Sequence, residues 1–400
     1  MVKRETYLAQ LRQLKDIQLI KVIAGVRRCG KSTLLEQFRN ELSASGVSAK
    51  NIQHFNLEDP ENTDFEHWKD FYYHIKNKLS DEGMNYIFLD EIQMLDNFER
   101  LLDGLHILKN VDLYATGSNA YLLSSELATI LTGRAITIEI YPFSFAEYLN
   151  FQQIEKPTDA DLINYMQIGG FPQALELHKI SNSAYENYLK GLYTTILEKD
   201  IKPRNAIYND VAFDNLTRFL SDSVGSPVSA SSIADYFIHT KDNIDDKTVS
   251  RYISILNQSY LFYHAFRFDL KGKKMLKTQG KEYIVDTGFR NVLLGREQLA
   301  DLSHILENIV YFELLRRGNS VWIGKNLNHE IDFVTKDTNG YQHYYQVCLT
   351  MRDEATRERE LSAFEKMRNH HPKTIIALDT EEPTYNGIVQ RNATKWLLEK

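Results

Sequence analysis

Residues 25–32 read Gly25-Val26-Arg27-Arg28-Cys29-Gly30-Lys31-Ser32 and fit the pattern G-x-x-x-x-G-K-[ST] at every fixed position. An apolar run, Leu19-Ile20-Lys21-Val22-Ile23-Ala24, precedes them, and a helical stretch from Lys31 to Phe38 follows. Strand, glycine loop and helix in that order make a phosphate cradle. The glycines let the backbone wrap an anion, and the N–H groups at the helix start point at it. Lys31 is expected to reach the β- and γ-phosphates of a nucleotide, and the Ser32 hydroxyl to ligate Mg2+. The nucleotide-binding segment so defined is Gly25, Arg28, Cys29, Gly30, Lys31, Ser32 and Thr33. Of Arg27 and Arg28, one can touch phosphate, or either can anchor the loop to an acid. Cys29 fills a variable loop position and is given no chemistry of its own.

Tyr86-Ile87-Phe88-Leu89-Asp90-Glu91 is a mainly apolar run ending in two acids. A buried strand that delivers carboxylates to its C-terminal end places them where a parallel sheet binds ligands. Asp90 is expected to hold Mg2+, directly or through water. Glu91 is expected to polarise the attacking water, as a general base must. The next apolar segment, Val111 to Ala115, ends in Thr116-Gly117-Ser118-Asn119. Ser118 or Asn119 can sit between the γ-phosphate and the water. The alternative is a Ser/Asn turn that caps a helix. Thr132-Gly133-Arg134 precedes a further strand. Arg134 could complete the site of a neighbouring subunit as an arginine finger in a homo-oligomer, or be a surface arginine in a turn.

These residues need elements to position them. Leu8, Leu11 and Leu14 give one face of a helix over 4–16. Strands are then expected at 18–24, 52–57, 85–89, 111–116 and 135–141, with helices at about 31–44, 65–79 and 97–109. Such alternation argues for a parallel sheet covered on both faces. The polar, proline-containing stretch at 151–160 suggests a boundary. Helices follow over 161–204, broken at Gly169-Gly170-Phe171-Pro172. Short helices and a small β element are expected over 205–290. A second α/β unit closes the chain: helix at 304–317, strands near 320–324, 330–336 and 342–349, helix at 356–369, strand at 373–378.

Four hundred residues exceed one ordinary domain, and about two to four are expected. A hydrophobic share of 43% with 25% charged residues is globular rather than disordered. The net charge of −7 gives no global reason to bind nucleic acid or an anionic membrane, so any such contact must be local. Two cysteines, Cys29 and Cys348, exclude a disulfide framework and a cysteine-rich zinc site. Neither a signal peptide nor an apolar run of about 18 residues is present. The expectation is a cytoplasmic protein without a membrane span.

Taken together, Gly-Val-Arg-Arg-Cys-Gly-Lys-Ser-Thr-Leu-Leu, Phe-Leu-Asp-Glu-Ile-Gln, Thr-Gly-Ser-Asn-Ala, Leu-Thr-Gly-Arg and Tyr-Pro-Phe-Ser-Phe-Ala-Glu-Tyr-Leu occur in that order. The chain resembles a large family of bacterial and archaeal AAA-type P-loop ATPases whose C-terminal half is of unknown function. The resemblance continues through Gly-Gly-Phe-Pro at 169–172, Leu-Glu-Lys-Asp-Ile at 197–201, Tyr-Ile-Val-Asp-Thr-Gly at 283–288 and Glu-Ile-Asp-Phe-Val at 330–334. It implies an α/β fold: a P-loop NTPase parallel sheet with a helical lid, then a winged-helix-like segment and a small α/β endonuclease-like domain. The divisions are 1–150, 151–204, 205–300 and 301–400. It implies ATP and Mg2+ as ligands, with Lys31 and Ser32 on phosphate and metal, Asp90 and Glu91 as the acids, and Thr116 to Asn119 as the γ-phosphate sensor region.

Endonuclease-like folds of this type use an acid from a helix, an Asp on one strand and an acid-x-Lys on the next. Glu307 and Asp332 could supply the first two, or be structural acids. The third falls at Gln346-Val347-Cys348, where an amide replaces the acid and a thiol replaces the lysine. A neutral amide is a poor Mg2+ ligand, so the fold is expected to be kept and nuclease chemistry lost. Residues 265–281 carry six basic residues and one acid, a local surplus of five positive charges. With Ser250, Arg251 and Ser254 on a preceding helix, and Lys271, Lys273, Lys274 and Lys277 near phosphates, residues 248–281 could bind double-stranded DNA. The alternative is a solvated or protein-binding hairpin. The function expected is Mg2+-dependent ATP hydrolysis driving change in the C-terminal domains. Its rivals are a slow nucleotide switch acting through an unknown protein partner and an ATP-gated nuclease.

Overall fold

The structure, a computed structural model, describes residues 2–62, 65, 67–118, 133–238, 244–272, 274–295, 302–326, 329–365, 367 and 369–399. Asn119, Thr132 and Lys273 lie outside the described residues, as do the side chains of Lys274 and Lys277. The chain forms two compact units, one of residues 1–141 with 258–260 and the other of residues 142–257 with 261–400.

In the first unit, α1 (Glu5–Leu14) leads into β1 (Ile20–Ala24), α2 (Lys31–Ala44), β2 (Ile52–Asn56), α3 (Trp68–Asn77), β3 (Asn85–Asp90), α4 (Phe98–His106), β4 (Val111–Gly117) and β5 (Ala135–Glu139). All five strands are parallel, in the order β2-β3-β4-β1-β5. β4 therefore stands between the glycine-loop strand and the acidic strand. Strands β1, β3 and β4 are buried along their whole length, as a sheet with helices on both faces requires. Alternate residues serve opposite faces. Ile87, Leu89, Leu113 and Ala115 pack with Phe71, Ile75, Leu101 and Leu105. Phe88 and Tyr114 stack at 4.8 Å on the other side, with Phe38 of α2 against both. The strand expected over 135–141 ends at Glu139, three residues before Pro142, which has no N–H to extend a ladder.

The second unit opens with α5 (Phe145–Gln152), α6 (Asp159–Ile168), α7 (Pro172–His178) and α8 (Asn182–Thr195), followed by α9 (Asp210–Asp222). Sequence explains their starts. Ser144 with Glu147 and Thr158 with Asp161 form capping boxes, and Pro172 occupies a first turn. Then come β6 (Pro227–Val228), α10 (Ala230–Phe237), α11 (Asp246–Gln258), β7 (Phe262–Asp269), β8 (Lys274–Ile284), α12 (Thr287–Leu294) and α13 (Leu302–Arg316). The chain closes with β9 (Ser320–Asn326), β10 (His329–Lys336), β11 (Gln342–Val347), α14 (Glu354–Ser362), β12 (Lys373–Ala377), β13 (Thr384–Tyr385), β14 (Ile388–Asn392) and α15 (Ala393–Trp396). One nine-stranded sheet runs β13-β14-β12-β11-β10-β9-β7-β8-β6. The hairpin β7–β8 joins it through parallel pairing of β7 with β9, so the basic hairpin and the C-terminal α/β elements share one sheet. Among the described residues, no helix is long and apolar enough to cross a membrane.

Candidate nucleotide site

The glycine loop leaves the C-terminal end of β1 and enters α2 at Lys31, as the residue pattern requires. A Cβ on Gly25 would lie 2.2 Å from the Ile140 carbonyl oxygen, so only glycine fits there. Arg4, which the sequence reading did not single out, is 1% exposed and braces this loop. Its guanidinium donates to the carbonyls of Cys29 at 3.0 Å and Tyr141 at 2.9 Å. Nothing in the spacing around Arg4 announces that role, because its partners are backbone carbonyls remote in sequence. Arg27 donates to Glu58 Oε1 at 2.8 Å, which makes it the loop's anchor to an acid, while Arg28 is exposed. Burial raises the Cys29 thiol above its ordinary value, so it stays protonated and unreactive at neutral pH.

Lys31 is 3% exposed. Its Nζ donates to the Gly25 and Val26 carbonyls at 3.1 and 3.3 Å and lies 3.5 Å from Glu91 Oε1. The ammonium is thus held inside the loop by acceptors that phosphate oxygens can replace. Ser32, in the first turn of α2, is exposed, and Asp90 ends β3 with 3% exposure. One hydroxyl and one carboxylate, with phosphate oxygens beside them, is a donor set that suits Mg2+.

Glu91 follows β3 with φ 54° and ψ 52°, a left-handed backbone that costs a non-glycine residue about 1 kcal/mol or more. Thr116 at the end of β4 secures this turn. Its hydroxyl accepts the Glu91 N–H at 2.9 Å and donates to Asp90 Oδ1. The neighbouring strand thereby fixes both acids at once, which is the structural use of having β4 beside β3. The Gln93 amide donates to Glu91 Oε2 and to Ser118 Oγ, the latter at 3.2 Å. Burial pushes the Glu91 carboxyl up, but Lys31, Gln93 and Arg27 outweigh it and hold it below its ordinary value. Glu91 is therefore ionised at neutral pH, the form a general base needs. Of the sensor candidates, Ser118 is fully buried and joined to Glu91 through Gln93. Gln93 itself was missed, although it stands in the quoted Phe-Leu-Asp-Glu-Ile-Gln run.

Arg134 sits elsewhere. Its carbonyl accepts the Ile20 N–H at 2.7 Å, at the start of β1, whereas the glycine loop follows the end of that strand. Its half-exposed side chain pairs with Asp103 of α4. Arg134 is thus at the opposite end of the strands from its own glycine loop. In the second unit, Ser250, Arg251 and Ser254 lie exposed on α11, opposite the buried Val249, Tyr252, Ile255 and Leu256. Arg251 donates to the Ala206 carbonyl and lies 5.1 Å from the Tyr208 ring centroid.

A family model described as an AAA domain matches residues 18–149, and one described as a domain of unknown function (DUF8612) matches residues 159–300. An uncharacterised protein of Haemophilus influenzae is 35% identical over 404 residues, spanning 100% of this chain and 99% of its own. The uncharacterised protein MJ1544 of Methanocaldococcus jannaschii is 30% identical over 368 residues, spanning 87% of this chain and 78% of its own. Among solved structures, the Walker-type ATPase PABY2304 of Pyrococcus abyssi superposes with a TM-score of 0.50 at 16% identity, over 73% of this chain and 96% of that one. That last likeness is one of fold.

Proposed function

From the premise that the chain belongs to the AAA-type P-loop ATPase family, we propose that it hydrolyses ATP and that hydrolysis drives change in its C-terminal elements. Lys31 would hold the β- and γ-phosphates, with the exposed Arg28 beside them. Ser32 and Asp90 would hold Mg2+, which when bound neutralises phosphate charge and orients the γ-phosphoryl group. Glu91 would take the proton of the attacking water, with Ser118 set beside it by Gln93. Asn119 is the second sensor candidate. Arg134 lies at the far end of the strands from its own loop, and a role for it requires a second subunit.

The observation that carries this reading is the Glu91 carboxylate, held 3.5 Å from Lys31 and joined through Thr116 to Asp90. Duplex DNA is the partner we propose for residues 248–281, because the outer face of α11 is polar and the adjoining hairpin, the buried Lys281 apart, is rich in basic residues in its sequence. The test is steady-state ATP hydrolysis with and without duplex DNA. Turnover abolished by Glu91→Gln and raised by DNA is expected. Turnover that persists in Glu91→Gln would remove the proposed base. A rate indifferent to DNA would remove the DNA assignment and direct attention to protein partners.

A further inference from the structure

A second polar cluster lies in the C-terminal sheet, in a cavity of about 600 Å³ lined by Lys281, Glu307, Glu330, Asp332, Gln346 and Glu360 among others. The endonuclease resemblance implies a divalent cation here, with Glu307 and Asp332 as ligands. The residues present do not fit one. Gln346 stands where a third acid would be, and both ends of its amide are committed. Its Oε1 accepts the Asp332 N–H at 2.7 Å and its Nε2 donates to Glu360 Oε2 at 2.7 Å. Asp332 Oδ2 accepts the Val347 N–H at 2.8 Å. Among the described residues, no group of three or more His, Cys, Asp or Glu side chains is disposed to hold a metal ion.

Lys281 explains the arrangement. It comes from β8, a strand that the sequence reading assigned to a separate basic hairpin. Its side chain is 2% exposed. Its Nζ lies 2.8 Å from Glu307 Oε1, 2.9 Å from Glu330 Oε1 and 3.7 Å from Asp332 Oδ1. Tyr283, two residues along the same strand, donates to the same Glu307 oxygen at 2.7 Å. An ammonium has three donors, and three carboxylates surround this one. We infer that the Lys281 ammonium is the resident cation of this pocket and stands in the place a divalent metal would take. Burial alone would lower the Lys281 pKa, but Glu307, Asp332 and Glu330 outweigh it and hold it raised, so the group stays charged. A metal entering between Glu307 and Asp332 would meet that charge at contact distance and would have to expel it. Bringing β7–β8 into the same sheet as β9–β14 is what delivers the lysine. On this reading the carboxylates stay assembled without metal, and metal-dependent phosphodiester cleavage is not a property of this domain.

The experiment is Mn2+ binding to the full chain, without nucleotide, followed by electron paramagnetic resonance in wild type and Asp332→Asn. Equal binding by the two is expected. One additional Mn2+ in wild type, lost in Asp332→Asn, would overturn the inference. Lys281→Met leaves the buried Glu307 and the partly buried Glu330 and Asp332 without their cation and is expected to melt about 5–10 °C lower in chelator, with the loss repaired by millimolar Mn2+. Melting like wild type, or a loss that Mn2+ leaves unrepaired, overturns it equally. If Lys281→Met does not fold, the comparison of wild type with Asp332→Asn still decides.

Discussion

Glu91 Oε1 lies 3.5 Å from Lys31 Nζ, so the cation that should grip phosphate and the carboxylate that should activate water are partners of each other. A phosphate reaching Lys31 must compete with Glu91 for the same ammonium. Glu91→Gln removes the competing charge while keeping the side chain's size. Besides losing turnover, this variant should bind ATP more tightly than wild type, as read by fluorescent-nucleotide titration. Binding equal to or weaker than wild type would mean that the pair does not oppose the nucleotide.

Gln93 gives a sharper test of how the base is aimed. Its amide donates to both Glu91 and Ser118, so it links the proposed water-activating side chain to the end of β4 without needing to reach the nucleotide itself. A hydrogen bond to a charged group contributes about 1.5–3 kcal/mol, and part of that should appear as misplacement of the base. Gln93→Ala is expected to lower kcat about tenfold or more, with KM for ATP changed less than about twofold. A rise in KM at unchanged kcat would place Gln93 in nucleotide binding instead.

The local signals were readable because each is dictated by short-range chemistry. Helix α2 spans the range its sequence predicts, since glycine, lysine and an amphipathic run fix its start and course. The adjacent acids on one strand and the polar end of the next were quoted from sequence, and the placement of β4 between β1 and β3 brings them together. Arg4, Gln93 and Lys281 were not legible as site residues, and for one reason. Their partners are set by tertiary proximity: Arg4 to Tyr141 across 137 positions, Gln93 to Ser118 across 25, and Lys281 to Glu307 across 26. Lys281 also shows how a composition argument can mislead. It was counted in the local positive surplus of residues 265–281, yet it is buried against acids because its strand belongs to a larger sheet.

The same proximity explains two markers that sequence could only quote. Gly169-Gly170 ends α6, and Asp286 starts α12 as its N-cap. Asp286 Oδ2 accepts the Gly170 N–H at 2.6 Å, and its Oδ1 accepts the Phe289 N–H at 2.8 Å. Gly169 has φ +70°, and a Cβ there would lie 2.1 Å from Asp286 Oδ1, so the glycine is what lets the carboxylate approach. Burial pushes Asp286 up to about 6, against the lowering by these N–H donors. The folded state therefore holds the Asp286 proton more tightly than the unfolded chain, whose value lies near the ordinary ~4. The resulting stabilisation is fully present below that value and is lost as pH rises through about 6, a change on the order of 3 kcal/mol. Asp286→Asn cannot titrate, so the melting temperature of wild type relative to this variant should fall between pH 4 and 6.5 and level off above. A difference that stays flat across that range, or grows, would mean that the carboxylate is charged in the fold at pH 4 and that its N–H donors outweigh burial.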